Sequence, residues 1–276
     1  MLEEVLDLLD LRPGEIVLDA TLGGAGHSQE MIRRIAPGGT FLGFDADPAA
    51  VKRAEETLNG SGCSFKLFNI NFRDLGSILD EEGASGIDDA LFDLGVSSYQ
   101  MDEAGRGFSI KNAGPLDMRM DPSLKLSASD LVNRLREEEL SNIIKDFGEE
   151  RFHRRIARAI VEERRKNRID TTEGLASVIY KAVGGRYGRG RIDPATRTFQ
   201  AIRIAVNDEL AAIKDGLDAV VPRMNKDGRI AVISFHSLED RIVKNKFKAC
   251  AAEGTLKILT KKPLRHKEEE VTANPR

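Results

Sequence analysis

Apolar residues recur at helical spacing over the first turns of the chain, at Leu2, Val5, Leu6, Leu8 and Leu9, until Pro13-Gly14 breaks the pattern. The period then changes. Residues 15–19 (Glu-Ile-Val-Leu-Asp) form a short apolar run that predicts a buried strand, followed by the glycine loop Gly23-Gly24-Ala25-Gly26 and a helix over about 27–35. Residues 40–44 predict a second strand that ends in Asp45, and Pro48 opens a helix to about residue 58. Residues 64–68 and 87–94 predict a third and a fourth strand. Strands alternating with helices of this length build βαβ units, hence a parallel sheet covered on both faces.

From Ser98 the character of the chain changes. Residues 99–123 read as loop, punctuated by Gly105, Gly107, Gly114, Pro115 and Pro122. Residues 127–183 read as almost entirely helical, with capping residues at Ser127 and Thr171-Thr172. Pro194 opens a long helix to about residue 217. Residues 228–234 then predict a strand, 238–250 a helix and 255–259 a last strand. A sheet that is interrupted and resumed predicts an α/β domain formed by residues 1–108 and 200–276, with an all-helical insert over 109–199.

Composition narrows the class. The chain of 276 residues is 41% apolar and 32% charged, a balance that excludes a disordered or fibrous protein and suffices for a sizeable core. No stretch approaches the roughly 18 uncharged apolar residues that span a bilayer, and the first residues lack a signal-peptide layout, so no membrane association is expected. Cys63 and Cys250 lie far apart, and the four histidines are scattered. Neither a disulfide framework nor a metal site is expected, and a reducing cytoplasm fits.

The net charge of −3 excludes a uniform basic coat, which turns attention to basic clusters. Arg151, Arg154, Arg155 and Arg158 fall on one predicted helix that continues to Arg164, Arg165, Lys166 and Arg168. Arg186, Arg189, Arg191 and Arg197 form a second run in a glycine-bearing loop beside Tyr187. Such a surface makes phosphate contacts naturally and marks the insert as the expected RNA-binding, substrate-recognising part. The alternative is a solvated helix face paired with Glu162 and Glu163.

In open α/β sheets ligands bind at the carboxyl ends of the strands, so the residues there test the fold. The first strand ends in Asp19, followed by Gly23, Ala25 and Gly26, small residues that let a ligand approach the backbone, and by His27 at a helix start with free N–H groups. The second ends in Asp45, placed for its carboxylate to accept from both hydroxyls of a ribose. The third ends at Asn69, with Asn71-Phe72 able to read an adenine edge and pack its face, and the fourth in Asp93-Leu94-Gly95. Each feature alone has a bland reading, as a tight turn, a helix cap or a core ring. Their joint presence at four consecutive strand ends does not. The glycine run lacks the third glycine of a dinucleotide fingerprint, and an acid before the glycines suits a cation better than a pyrophosphate. The residues favour S-adenosylmethionine, and with it a Rossmann-like S-adenosylmethionine-dependent methyltransferase sheet carrying a helical insert.

Longer blocks sharpen this. Residues 19–28 (Asp-Ala-Thr-Leu-Gly-Gly-Ala-Gly-His-Ser), 93–102 (Asp-Leu-Gly-Val-Ser-Ser-Tyr-Gln-Met-Asp), 106–109, 114–121, 193–209 and 234–241 (Ser-Phe-His-Ser-Leu-Glu-Asp-Arg) together resemble the MraW family, also called RsmH, of bacterial methyltransferases acting on small-subunit ribosomal RNA. The resemblance covers essentially the whole chain. It implies N4-methylation of a cytidine in the decoding region of 16S rRNA, with that RNA or the small ribosomal subunit as partner. It also implies donor contacts from Ala25, Gly26, His27, Asp45, Phe72, Asp93 and Gln100. The chain departs from the family at Ala25, usually glycine, where a methyl group is tolerable unless the backbone needs positive φ, and at Ala113, where an acidic residue is common. It also starts inside the family's usual opening segment and stops before its basic tail.

Methyl transfer is an in-line displacement, for which the protein chiefly aligns donor and acceptor. Cytosine N4 is a poor nucleophile because its lone pair is delocalised, so an acceptor aimed at its amino hydrogens would localise that pair and take the proton. Asp93 is the first candidate, with donor binding alone as its other reading. Ser97, Ser98 and His236 follow. Two other functions fit parts of the pattern: a NAD-type oxidoreductase, and a non-catalytic RNA-binding assembly factor with a vestigial pocket.

Overall fold

The structure is a computed structural model and describes residues 1–84, 86–184, 193–260 and 262–264. Helix α1 (Leu2–Leu9) leads into β1 (Ile16–Asp19), then α2 (Gly26–Ile35), β2 (Thr40–Phe44), α3 (Pro48–Leu58), β3 (Ser64–Phe68), α4 (Leu75–Glu81) and β4 (Ile87–Asp93). The middle of the chain is helical: α5 (Ser98–Asp102), α6 (Ala128–Arg134), α7 (Glu137–Gly148), α8 (His153–Arg164), α9 (Thr172–Val183) and α10 (Thr196–Asn207). It closes with α11 (Glu209–Val220), β5 (Met224–Ile233) and α12 (Ser237–Ala252). Local chemistry sets several starts. Pro48 opens α3 with the Asp47 carboxylate accepting the Ala49 N–H at 3.0 Å, and Ser127 and Thr171 cap α6 and α9.

The chain divides into two compact units, Met1–Gly95 with Leu210–Arg276, and Val96–Glu209. The first holds one five-stranded sheet of order β3-β2-β1-β4-β5, parallel at every pairing. Successive side chains feed two cores. Val17, Phe41 and Leu91 meet α1, α2 and α3 on one face. Leu18, Leu42, Ala90 and Phe92 meet α4, α11 and α12 on the other. Burial on both faces is why the strands read as continuous apolar runs. Gly43 is required in β2 because a Cβ there would lie 2.6–2.9 Å from Leu22, Leu67 and Phe41 side-chain atoms. The strand order reverses between β1 and β4, and the crevice at their carboxyl ends is the topological switch point.

The second unit packs its own core from Leu131, Leu140, Ile144, Ile156, Ile160, Leu175, Ile179, Phe199 and Ile202. It begins at Val96 rather than 109 and ends at Glu209 rather than 199, because Phe108, Leu116 and Met118 belong to that core, as do residues of α10.

Three expectations are corrected. Residues 255–259 form no strand: the N–H groups of Thr255 and Leu256 donate to the Cys250 carbonyl and close α12, leaving Ile258 and Leu259 in solvent. The helix expected from Pro194 to about 217 is two helices. Asp208 adopts the left-handed conformation (φ 49°), and the Asn207 amide is drawn off to Met118 O and Met120 N at 2.8 and 2.7 Å. Helix α8 ends at Arg164, whose guanidinium donates to Val132 O, and Arg168 pairs beyond it with Asp170 at 2.8 Å.

Candidate active site

Asp19 closes β1 and is 1% exposed. Its Oδ2 accepts from Ser28 Oγ at 2.7 Å and its Oδ1 from the Thr21 N–H at 3.0 Å, so the carboxylate fastens the loop to the start of α2 from below. Burial pushes its pKa up to about 7. Thr21 also ties the loop sideways, accepting the Asp93 N–H on Oγ1 at 2.7 Å. Asp45 accepts the Gly23 N–H at 2.9 Å and the Asp47 N–H at 2.8 Å, one on each oxygen. Each oxygen keeps a further acceptor site. One acid below and one beside therefore fix the glycine loop, and neither role is visible from spacing.

Ala25 is the N-cap of α2 with φ 60°, and it is fully buried. The backbone does need positive φ where the family usually has glycine, so this chain carries strain of about 1 kcal/mol there. Ala25→Val is expected to destabilise the fold by about 2–4 kcal/mol, because a β-branched residue is an outlier at positive φ and overfills a packed site. Ala25→Gly is expected to stay within about 1 kcal/mol of the parent, relief of strain offsetting the lost methyl. Urea midpoints check both, and an unmoved midpoint for the valine variant would show that the loop yields.

His27, second residue of α2, brings Nδ1 to 3.5 Å from Asp93 Oδ2, while its Nε2 is buried without a hydrogen-bond partner. Burial lowers its pKa, keeping the imidazole neutral. Asp93, last residue of β4, has an Oδ1 buried without a partner, and burial raises its pKa to about 6. Phe72 sets its ring edge-on to Phe92, centroids 5.9 Å apart, as a partly buried member of the core. Asn69 donates to Asp45 O at 3.0 Å, and Asn71 accepts the Arg73 N–H at 3.0 Å as the cap of the turn carrying Phe72. Both amides shape the strand-end loop.

At the end of β5, His236 caps α12. Its Nδ1 accepts the Glu239 N–H at 3.4 Å and its Nε2 lies 3.2 Å from Glu239 Oε1. Nδ1 thus serves the cap, while Nε2 lies beside that carboxylate, buried and without a hydrogen-bond partner. Ser97 and Gln100 belong to the second unit, where they form a capping box on α5: Ser97 Oγ accepts the Gln100 N–H at 3.3 Å and Gln100 Oε1 the Ser97 N–H at 3.0 Å. Ser98 is exposed on the first turn of α5. Asp19, Gly23, Ala25, Gly26, His27, Asp45 and Asp93 are therefore gathered at one end of one sheet, with Phe72 at the neighbouring strand end.

A family model described as the MraW methylase family matches residues 1–276. The chain belongs to the MraW methylase family. Proteins named ribosomal RNA small subunit methyltransferase H are similar to it. The one from Clostridium botulinum (strain Kyoto / Type A2) is 45% identical over 100% of this chain and 94% of its own length. Those from Geotalea uraniireducens and Trichlorobacter lovleyi are 47% and 46% identical, covering 100% and 99% of this chain and 93% and 92% of theirs. As an MraW methylase the chain takes S-adenosylmethionine as methyl donor, which sets aside a nicotinamide cofactor.

The switch point of this MraW methylase suits that donor. A Cβ on Gly26 would meet nothing within 4 Å, so the start of α2 faces open space. Two buried polar atoms, His27 Nε2 and Asp93 Oδ1, lack protein partners. Asp19, Asp45 and Asp93 all have raised pKa values, burial being the first cause, and the first is also raised by the other two. A cation relieves the cost of such clustered buried acid, whereas a pyrophosphate adds to it.

A pH dependence follows, with its sign fixed. An acid with a raised pKa ionises on going up through about 6–7, and its anion attracts a sulfonium but not the neutral thioether of the demethylated product. The ratio of affinities for S-adenosylmethionine over S-adenosylhomocysteine is therefore expected to rise between pH 5.5 and 7.5. The rise over that range is about three- to sixfold if the sulfonium lowers one of these pKa values by about one unit. Calorimetric titrations with the two ligands check it, and a flat ratio would remove the electrostatic account.

Thr21, Ser28, Glu239 and Phe235 complete this edge, and none was singled out from sequence. All four lie inside the family-like blocks at 19–28 and 234–241, which was the available clue. In the helical unit Arg154, Arg155 and Arg158 lie exposed on α8 opposite its buried Ile156, Ala157, Ile160 and Val161. Arg158 sits 3.5 Å from Glu137, and the exposed Arg151 stacks over the Phe152 ring at 4.6 Å. Arg186, Arg189 and Arg191 lie outside the described residues. No helix among the described residues is long and apolar enough to cross a membrane.

Proposed function

We propose that this chain methylates small-subunit ribosomal RNA, transferring a methyl group to N4 of a cytidine in the decoding region of 16S rRNA. The relatives' names support the RNA class. The observation that carries the assignment to an amino group is Asp93 Oδ1, a buried acceptor at the switch point with no partner in the protein.

The donor supplies an electrophilic methyl on sulfur. Asp45 accepts hydrogen bonds from its ribose hydroxyls, Phe72 packs against the adenine, and Gly23, Ala25, Gly26 and His27 enclose the rest. Asp19 holds the loop rather than touching the ligand. Asp93 accepts a hydrogen from the exocyclic amino group, localises the nitrogen lone pair and takes the proton as the N–C bond forms. A pKa of about 6 leaves it ionised at neutral pH yet close enough to act as a base. Arg151, Arg154, Arg155 and Arg158, with Arg186, Arg189 and Arg191, bind phosphates, and the target base is presented unstacked.

The test is methyl transfer from labelled S-adenosylmethionine to unmodified small ribosomal subunits and, separately, to naked 16S rRNA, with nucleosides identified by mass. N4-methylcytidine from a single site is the expected product. Label in another nucleoside would overturn the cytidine assignment. No transfer with donor binding intact would favour an RNA-binding assembly factor.

A further inference from the structure

Strands β4 and β5 leave the sheet side by side. Asp93 pairs with Ile233, and the Leu94 N–H donates to Ile233 O at 3.0 Å. Two residues on, Gly95 (φ 91°) and Phe235 are neighbours: a Cβ on Gly95 would lie 3.4 Å from Phe235 Cδ2. Phe235 is 69% exposed, more than any other large apolar side chain among the described residues. Its backbone is nevertheless fixed. The N–H groups of Phe235 and His236 donate to Glu239 Oε2 at 2.8 and 3.3 Å, and Glu239 is 1% exposed. A buried carboxylate thus anchors an aromatic ring that the fold leaves in water. A ligand that covered the ring at this strand end would gain the burial of its face.

We propose that Phe235 is the platform on which the target nucleobase stacks beside Asp93. This rests on the RNA methylation reading above. The ligand chemistry is set by two groups at one end of the sheet: an aromatic face, which suits any base, and an unpartnered buried acceptor, which suits a base bearing an amino group. Phe235 is a positioning residue that fixes the plane of the base, while Asp93 meets its edge.

Phe235→Ala and Phe235→Leu are expected to lower kcat/KM for small ribosomal subunits by about 5- to 150-fold, the range for loss of one base–aromatic stack. Phe235→Tyr is expected to restore most of it, and donor affinity by calorimetry to stay within about twofold in all three. The chain contains no tryptophan, so Phe235→Trp creates a single emitter. Its fluorescence is expected to be quenched by a short single-stranded oligocytidylate in the presence of the donor, and not by the donor alone. A leucine variant as active as an active parent, or quenching by the donor alone with none added by RNA, would sink the inference by itself. A parent that transfers no methyl to RNA would sink the methylation reading and this inference with it.

Discussion

Asp93→Asn is expected to lower kcat for methyl transfer by about 10²–10⁴-fold at saturating donor, the range for loss of a positioned proton acceptor. The substitution keeps the side chain's shape and one acceptor oxygen, and removes the charge and the basicity while placing an NH2 group where the other oxygen stood. Asp93 stands where both of its readings are physically open. Its Oδ1 is buried without a partner, and its Oδ2 lies 3.5 Å from the imidazole of His27, a residue of the donor loop. Saturation separates the readings. If the carboxylate only holds the donor, the defect appears in donor affinity and disappears at high donor concentration. If it accepts the proton, the defect persists there. The pH profile adds a second criterion. With a pKa raised to about 6, Asp93 protonates below that value. The parent's kcat should fall on the acid side of about pH 6, while the residual rate of Asp93→Asn should lack that limb. A variant with parental kcat at saturation would leave Asp93 as a donor ligand alone.

What the sequence revealed and what it hid divide along a physical line. Strand ends were legible because a parallel sheet places one residue per strand at the carboxyl edge. Asp19, Asp45 and Asp93 each stood directly after or at the end of an apolar run. What those acids touch was not legible, since Asp45 binds the Gly23 N–H across 22 residues and Thr21 Oγ1 takes the Asp93 N–H across 72. The strain at Ala25 was hidden too, because φ is a property of the loop and not of its residue types. The strand expected at 255–259 shows the reverse error: the Thr255 and Leu256 N–H groups that pairing would use are needed to finish α12. The break at Asp208 belongs with it, decided by the distant Met118 and Met120 backbone that Asn207 serves.

Asp45→Ala is expected to weaken binding of S-adenosylmethionine by about 10²–10³-fold, consistent with about 1.5–3 kcal/mol for each hydrogen bond to a charged group. Two effects combine. The ribose loses its carboxylate acceptor, and the Gly23 N–H loses the oxygen 2.9 Å away that holds the glycine loop against β2. The fold should survive. Burial holds the pKa of Asp45 up near 6, so removing the charge recovers part of what the freed Gly23 and Asp47 N–H groups lose. A net stability change within about 2 kcal/mol is expected. The ribose is common to donor and demethylated product, so both affinities should drop together and their ratio should barely move. That distinguishes a hydrogen-bond role from a charge role, which would lower the affinity for the cationic donor selectively. Calorimetric titration of both ligands reads the two quantities at once. A selective loss would show that Asp45 acts on the sulfonium through its charge, as a member of the acid cluster, rather than through the ribose, and unchanged affinities would remove the end of β2 from the donor site altogether.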